Sequence, residues 1–480
     1  MNDTTLAAGP AQTRSTVVEP GGIEAIPYGR RHGSPWQLLS TWTAPNLEFA
    51  TIFVGVIAVA LFGLGFWQAM AAIVLGCLAG AVTQGVLSTW GPREGLAQMV
   101  IGRTAFGYRG NILPSALNTV MAGLGWFAVN SVSGAFALAT LTGMPTVLAL
   151  LIVVVVEVAV AFIGYDLVQS FERYATFVLG AIFLVATVTV FINSDIAAPV
   201  AGGGFSFGGF TLAAGAAFGY AAGWNPYAAD YSRYLPKSSS PRSIFWAAGL
   251  GNLISCVVLM AAGAAAATIA GFSLDNPTDS FTASMPVVIR DITLLAIAFG
   301  AVAANALNIY SGAMSFLAAG IKIPFALRRA LVALGFGIIG FFIAWSAIPD
   351  AGGTYENFLL IIAYWIAPWL GVVLVDRWLR RGTEIASIVP DHVRYRNPAG
   401  IIAFLIGLLV SVGLFSNQVY FIGLIPQVAP AVGDLTAIVG FVLSAVLYAV
   451  FFRVFKPRLG GALGDEPEVV VGVDAADKVA

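Results

Sequence analysis

The chain repeats one pattern of apolar and polar positions: an apolar run of about 20 residues, long enough to cross a bilayer as a helix, then a short polar interval. Twelve such runs can be placed, at 39–62, 67–89, 112–139, 144–164, 174–193, 208–232, 243–270, 291–319, 328–348, 355–376, 399–421 and 433–454. The pattern predicts an all-α polytopic membrane protein with twelve transmembrane helices, numbered here as spans 1 to 12. Two runs are interrupted: span 1 carries Trp42-Thr43-Ala44-Pro45-Asn46 followed by Glu48, and span 6 carries Gly223-Trp224-Asn225-Pro226. Proline has no N–H and crowds the carbonyl four residues before it, so each interruption frees backbone groups. In hydrocarbon these are tolerated only against protein or a water-filled cavity. The interruptions stand five spans apart, and corresponding breaks in two halves of a chain point to an inverted repeat with a binding site near the membrane midplane. Two packed helices with ordinary proline kinks are the plainer alternative.

Composition agrees with the pattern: 59% of residues are hydrophobic and 10% charged, against about 25% charged in soluble domains. The formal net charge is −1, so the total gives no reason to expect a nucleic-acid partner, and the placement of charge is what informs. With an even number of spans and the N-terminus in the cytoplasm, all of the 23 lysines and arginines except Arg290 fall in the tails or near cytoplasmic ends. That asymmetry predicts a multi-pass protein of the cell membrane with both termini cytoplasmic. Residues 1–34 are polar, contain glycine and proline and lack the apolar core of a signal peptide. They and 459–480 are read as disordered cytoplasmic tails. Between them lie a ten-helix core, 35–380, with halves at about 35–193 and 208–380, and a peripheral helix pair, 381–458. Cys77 and Cys256 lie in apolar runs, where free buried thiols are the expectation. The only histidines, His32 and His392, lie in polar segments. That argues against a metal cluster or a histidine relay within the spans, and so against an enzyme or a cofactor.

Candidate chemistry is concentrated on a few polar residues inside the spans. In span 3, Trp126 and Asn130 are four apart and share a helical face. Span 8 offers Asn305 and Asn308, three apart in an apolar run. An asparagine in a membrane helix often only bonds a neighbouring helix, but amides occurring together with Trp126 and Trp224 suit a flat, polar ligand. Two carboxyls fall within spans, Glu48 after the first break and Glu157 in span 4. A charge at mid-bilayer costs roughly 2.5 to 3.5 kcal/mol on insertion scales, so such residues mark a pathway or proton relay, or else are neutral and bonded to a neighbour. The glycine-rich run Gly202 to Gly209 lacks the lysine of a phosphate loop and reads as a flexible entry to span 6.

Three motifs in order resemble the nucleobase-cation symporter family 1, specifically its purine-cytosine permease branch, over about residues 25–458. They are Ser88-Thr89-Trp90-Gly91-Pro92-Arg93-Glu94-Gly95, continuing to Phe106-Gly107-Tyr108-Arg109-Gly110-Asn111; the Trp126/Asn130 pair; and Gly223-Trp224-Asn225-Pro226, continuing to Asp230-Tyr231-Ser232-Arg233-Tyr234-Leu235-Pro236. The resemblance implies a LeuT-type fold, with spans 1–5 and 6–10 as inverted repeats and spans 11 and 12 peripheral. It implies a nucleobase held between Trp126 and Trp224, with Gly223 in the break beside it and Asn130, Asn305 and Asn308 reading its edge; Asn46 of span 1 is a further candidate. Glu172, in Phe171-Glu172-Arg173-Tyr174, resembles a family Tyr-Glu-Arg pattern and is a gating or coupling candidate, with a local ion pair to Arg173 as the plainer role.

Chemistry supports the same ligand. Base–aromatic stacking contributes about 1 to 3 kcal/mol per base, and asparagine offers both donors and an acceptor without net charge. A micromolar site needs only about −8 kcal/mol. The family's sodium-dependent members use hydroxyls before the span 8 amide, whereas Leu294 to Ala304 contains no Ser or Thr. A hard cation prefers oxygen ligands, so the coupling ion is expected to be a proton, carried by Glu48. The expectation is a proton-coupled importer of cytosine or purines such as adenine, hypoxanthine and guanine, with the base and the bilayer as its partners and no obligate protein partner. The alternative is a sodium-coupled carrier of allantoin, hydantoin-like compounds or a pyrimidine or pyridine vitamin.

Overall fold

The computed structural model describes residues 22–161, 165–198, 204–321, 325–383, 385 and 395–457, with the side chains of 161–175 and 322–332 outside that description. Apart from one short hairpin, its regular structure is helical. Eight helices among the described residues are long and apolar enough to cross a membrane, and the bent pair Gln37–Asn46 and Phe49–Ala60 brings these to as many as nine. Thr146–Val160 and Phe207–Ala222 are shorter apolar helices. Leu75, Val155, Leu184 and Ile338 are exposed on the outside, as a lipid-facing surface requires.

The first interruption is a change of direction. The helix Gln37–Thr43 passes into a 3-10 turn, Ala44–Asn46, and resumes as Phe49–Ala60 at 59°. Side chains replace the lost helical bonds: Glu48 accepts from the Ala50 N–H (2.7 Å), and Thr51 Oγ1 donates to the Asn46 carbonyl (2.6 Å). In span 6 the helix Phe207–Ala222 ends before a 3-10 turn, Asn225–Tyr227, and a short helix, Ala228–Ser232. Here the Ala221 carbonyl accepts from Asn252 Nδ2 (2.9 Å) on the helix Pro241–Ala266. That same helix packs backbone to backbone on Phe49–Ala60: a Cβ on Gly55 would lie 1.8 Å from the Met260 carbonyl, and one on Gly263 would lie 1.8 Å from that of Ile52. Close approach matters because helices in lipid associate through packing and hydrogen bonds, not through a hydrophobic drive.

Span 3 is one continuous helical stretch with a local change of pitch. Between Ile112–Val120 and Phe127–Thr142 lies a π-helical turn, Met121–Trp126, a feature often found at functional positions. Span 11 is shorter than its apolar run. The helix Pro398–Phe415 stops where Asp434 accepts from the Asn417 N–H (2.8 Å), and Asn417–Gln418 pair with Phe421–Ile422 as a hairpin. The last helix, Thr436–Phe455, is fastened to Ala351–Leu379 by Tyr448 OH, which donates to Asp376 (2.5 Å); Asp376 also accepts from Arg380 Nε (2.8 Å) at the end of its own helix.

Residues 22–34, which composition assigns to the tail, lie against the arginine-bearing face. Ile26 N–H donates to the Gly95 carbonyl (2.9 Å), Arg31 to that of Pro92 (2.7 Å), and Arg233 to that of Gly22 (3.2 Å). Each acceptor is main chain, which composition does not reveal. The rest of that tail, residues 1–21, and the C-terminal tail lie outside the described residues.

Candidate functional site

Trp126 closes the π turn of span 3, and Trp224 stands in the break of span 6. Their rings are parallel within 8°, with centroids 6.5 Å apart. A third ring stacked between them at a carbon–carbon contact of about 3.5 Å requires a gap of about 7 Å, so a small parting of the indoles admits one. Both side chains are 5% exposed or less and therefore face the interior, not lipid. Trp126 is held edge-on by Tyr220 and Phe358, each at 5.1 Å. Trp224 donates its Nε1–H to Asn46 Oδ1 (2.8 Å) and is backed by Trp42 at 6.0 Å. Gly223 is where it is because the indole is close: a Cβ there would lie 3.2 Å from Trp126 Cζ2.

The amides form two connected groups. Asn130 Nδ2 and Asn308 Nδ2 both donate to Asn305 Oδ1, at 3.0 and 3.2 Å, and Asn305 Nδ2 donates to the Phe127 carbonyl (3.0 Å). Asn46, the acceptor for Trp224, donates through Nδ2 to the Trp42 carbonyl (2.9 Å), Ser255 Oγ (3.0 Å) and Asn252 Oδ1 (3.4 Å). Thus Trp126, Asn130, Asn305 and Asn308 lie on one side, and Asn46, Gly223 and Trp224 on the other, joined across the indole pair.

Glu48 caps the second arm of span 1 and also accepts from Tyr220 OH (2.9 Å), whose ring touches Trp126. The helix Val287–Ala318 presses on this turn: a Cβ on Gly300 would lie 2.6 Å from the Leu47 carbonyl and 3.0 Å from Glu48 Cβ. Glu157 Oε2 accepts from Ser131 Oγ (2.6 Å), beside Asn305. Glu172 falls on the helix Tyr165–Asn193, but its side chain lies outside the described residues.

Sequence reasoning missed Tyr220, Ser131 and Asn252. The signal for Asn252 was present in Asn252 and Ser255, three apart in an apolar run, the same pattern that singled out Asn305 and Asn308. Asn252 bonds both interrupted helices, through Asn46 and through the Ala221 carbonyl. Leucine there strands that buried carbonyl, at a cost of about 1 to 3 kcal/mol. Asn252→Leu is therefore expected to lower the unfolding temperature of the purified protein in detergent and to weaken ligand binding about tenfold, measured on the same preparation.

Interrupted helices meeting at a buried aromatic and amide cluster define a membrane transporter, not an enzyme. The chain belongs to the family of permeases for cytosine/purines, uracil, thiamine, allantoin, whose profile matches residues 25–442. It is 29% identical over 451 residues to YxlA of Bacillus subtilis, designated a candidate purine-cytosine permease, covering 92% of this chain and 97% of YxlA. It is also 29% identical over 448 residues to the purine-cytosine permease fcyB of Emericella nidulans, covering 90% and 87%. Among solved structures, Mhp1, a nucleobase-cation-symport-1 family transporter in a closed conformation with bromovinylhydantoin bound, matches with a TM-score of 0.73 at 18% identity, over 92% of this chain and 97% of Mhp1. The two chains share a fold.

Proposed function

We propose that this protein imports nucleobases, cytosine and purines such as adenine, hypoxanthine and guanine, by proton-coupled symport with alternating access. The observation that carries the reading is the parallel pair Trp126 and Trp224, flanked by amides and, among the described residues, free of charged side chains at hydrogen-bond distance from either ring's polar atom. A planar neutral base inserted there gains two stacks and an amide-lined edge. The chain then crosses the cell membrane twelve times. Residues 35–193 and 208–380 are its inverted halves, 381–458 a peripheral pair, and both termini are cytoplasmic.

Access alternates around the indoles. A cleft of about 90 Å³, lined by Phe53, Val129, Tyr355 and Phe358 among others, approaches Trp126 from one side. On the other, Trp42 packs edge-on against Tyr231 (5.4 Å), which meets Tyr310 (5.6 Å), and Arg233 is buried behind them. This is a closed inner gate beneath an outer path.

The proton assignment rests on oxygen ligands. A sodium ion between span 1 and span 8 needs several of them, yet Leu294 to Ala304 carries no hydroxyl and the Asn46 carbonyl is engaged by Thr51. Glu48, at the turn that Gly300 approaches, is the carrier in this reading. Uptake of radiolabelled cytosine and adenine into cells tests substrate and ion together. Uptake is expected to collapse with an uncoupler and to survive replacement of sodium by choline. Uptake that follows sodium and ignores the uncoupler overturns the proton assignment, and transport of allantoin or hydantoins with no transport of bases overturns the substrate.

A further inference from the structure

Spans 2, 6, 10 and 12 enclose a groove that the transport cycle above does not use. Phe66–Ser88 packs on Phe207–Ala222, that helix on Ala351–Leu379, and that one on Thr436–Phe455; the first and last stand on opposite sides of a cavity of about 690 Å³. We propose that this groove is a lipid site, in which one acyl chain of a bilayer phospholipid completes the packing of the broken span 6 against its neighbours. The inference stands on the membrane fold alone and is independent of the substrate and the coupling ion.

The groove cannot close by drawing its helices together, because their backbones already meet along its floor. A Cβ on Gly76 would lie 2.4 Å from the Ala214 carbonyl, one on Gly219 would lie 2.3 Å from that of Leu359, and one on Gly371 would lie 2.5 Å from that of Phe441. Small residues then keep the space open: Ala214 and Gly215 of span 6 and Ala363 and Ala367 of span 10 line it. Its rim belongs to the lipid-facing surface, since Leu78 and Val82 of span 2 and Ile438 and Val442 of span 12 line it and are exposed.

Dimensions and chemistry identify the occupant. Phe207 and Phe218 both line the groove, so it follows about 16 Å of that helix at 1.5 Å per residue. One leaflet is half of a hydrocarbon core about 30 Å thick, so the groove is as long as an acyl chain is deep. The polar residues among the described lining are Thr83, Thr211, Tyr364 and Asp434, and each is already bonded within the protein. Thr83 Oγ1 donates to the Gly80 carbonyl (2.9 Å) and accepts from Asn225 Nδ2 (2.9 Å) in the break of span 6. Thr211 Oγ1 donates to the Val432 carbonyl (3.1 Å) and accepts from the Asp434 N–H (3.0 Å). Tyr364 donates to Asp434, which also accepts from the Asn417 and Thr436 N–H groups. A head group or polar solute therefore finds no free partner here, whereas a hydrocarbon chain needs none. Within lipid the gain comes from packing contacts, not from escape from water, and a chain walled on three sides makes more of them than one on a flat surface.

The test uses the full chain, purified in detergent, stripped of lipid and given dioleoyl phosphatidylcholine, dioleoyl phosphatidylglycerol or dihexanoyl phosphatidylcholine. Bound lipid is counted by native mass spectrometry, and the unfolding temperature is read on the same samples. Wild type should hold one dioleoyl lipid more tightly than the rest, with the two head groups within about 3-fold and the dihexanoyl lipid at least about 10-fold weaker. In Ala214→Phe a ring on the floor takes the place of the chain. Retention of that lipid should fall at least about 10-fold, and the rise in unfolding temperature that the lipid gives wild type should be lost. Ala437→Phe fills the groove from span 12 and should behave alike, whether or not the first variant folds. The proposal is overturned by retention on wild type that follows the head group and ignores chain length, a comparison that needs no variant. Unchanged retention in either folded variant overturns it too, as does a two-chain mass that the filled groove reduces to one, which makes a second copy of the protein the occupant.

Discussion

Replacing Trp224 with alanine is expected to weaken binding of cytosine or adenine about 100-fold while the protein still inserts and purifies as wild type. Two losses combine. One face of the aromatic sandwich goes, removing about 1 to 3 kcal/mol of stacking. Asn46 Oδ1, fully buried, loses the indole N–H at 2.8 Å that satisfies it, and a stranded acceptor costs about 1 to 3 kcal/mol. A sum near 3 kcal/mol is about two orders of magnitude in affinity. Trp224→Phe keeps a ring and loses the N–H, so its loss should be smaller, about tenfold. Trp67→Ala is the control for removing an indole as such: Trp67 is 68% exposed and, among the described residues, packs on no ring but Phe66. Equilibrium binding of labelled base to detergent-purified protein decides the matter. Wild-type affinity in Trp224→Ala removes the stacking site.

The parts of this site legible in the sequence are those whose cause is local. Pro45 and Pro226 disturb an α-helix wherever they stand, and the structure has 3-10 turns at both. Trp126 and Asn130 sit four apart, so they share a face whatever surrounds them. Other features depend on contacts distant in the chain. Nothing near Met121–Trp126 in sequence announces a π turn; what steadies Trp126 at its end is Tyr220 and Phe358, about 90 and 230 residues away. Glu157 read as a carboxyl in a run of valines, and only the packing of its helix against span 3 shows that Ser131 and the asparagines stand beside it. Residues 22–34 are hard to read for a related reason: polar composition suggests a loose tail, while their contacts use the backbone carbonyls of Pro92 and Gly95 and the Arg233 donor.

Replacing Glu48 with glutamine is expected to separate binding from accumulation. The glutamine carbonyl can accept from the Ala50 N–H in place of Glu48 Oε2 (2.7 Å), while its NH2, in place of Oε1 (2.9 Å), donates to the Tyr220 oxygen, whose hydrogen then turns to Thr51. The cap of the Phe49–Ala60 arm therefore survives, and so does the Tyr220 hydroxyl, which bridges to Thr51 at 2.5 Å. What is lost is the ability to take up and release a proton at the turn where span 8 meets span 1. Base affinity should stay within about threefold of wild type, because neither indole nor any amide contacting them changes partner. Concentrative uptake driven by an inside-alkaline pH gradient should fall at least tenfold, while exchange of labelled for unlabelled base across vesicles loaded on both sides continues. Glu48→Ala differs in kind: it also removes the helix cap, worth about 1 kcal/mol, and so should lose stability as well as coupling. Accumulation by Glu48→Gln equal to wild type, in the same vesicles and under the same gradient, takes Glu48 out of the proton pathway. A carboxyl held by two donors would then be only the cap that keeps the broken helix in register.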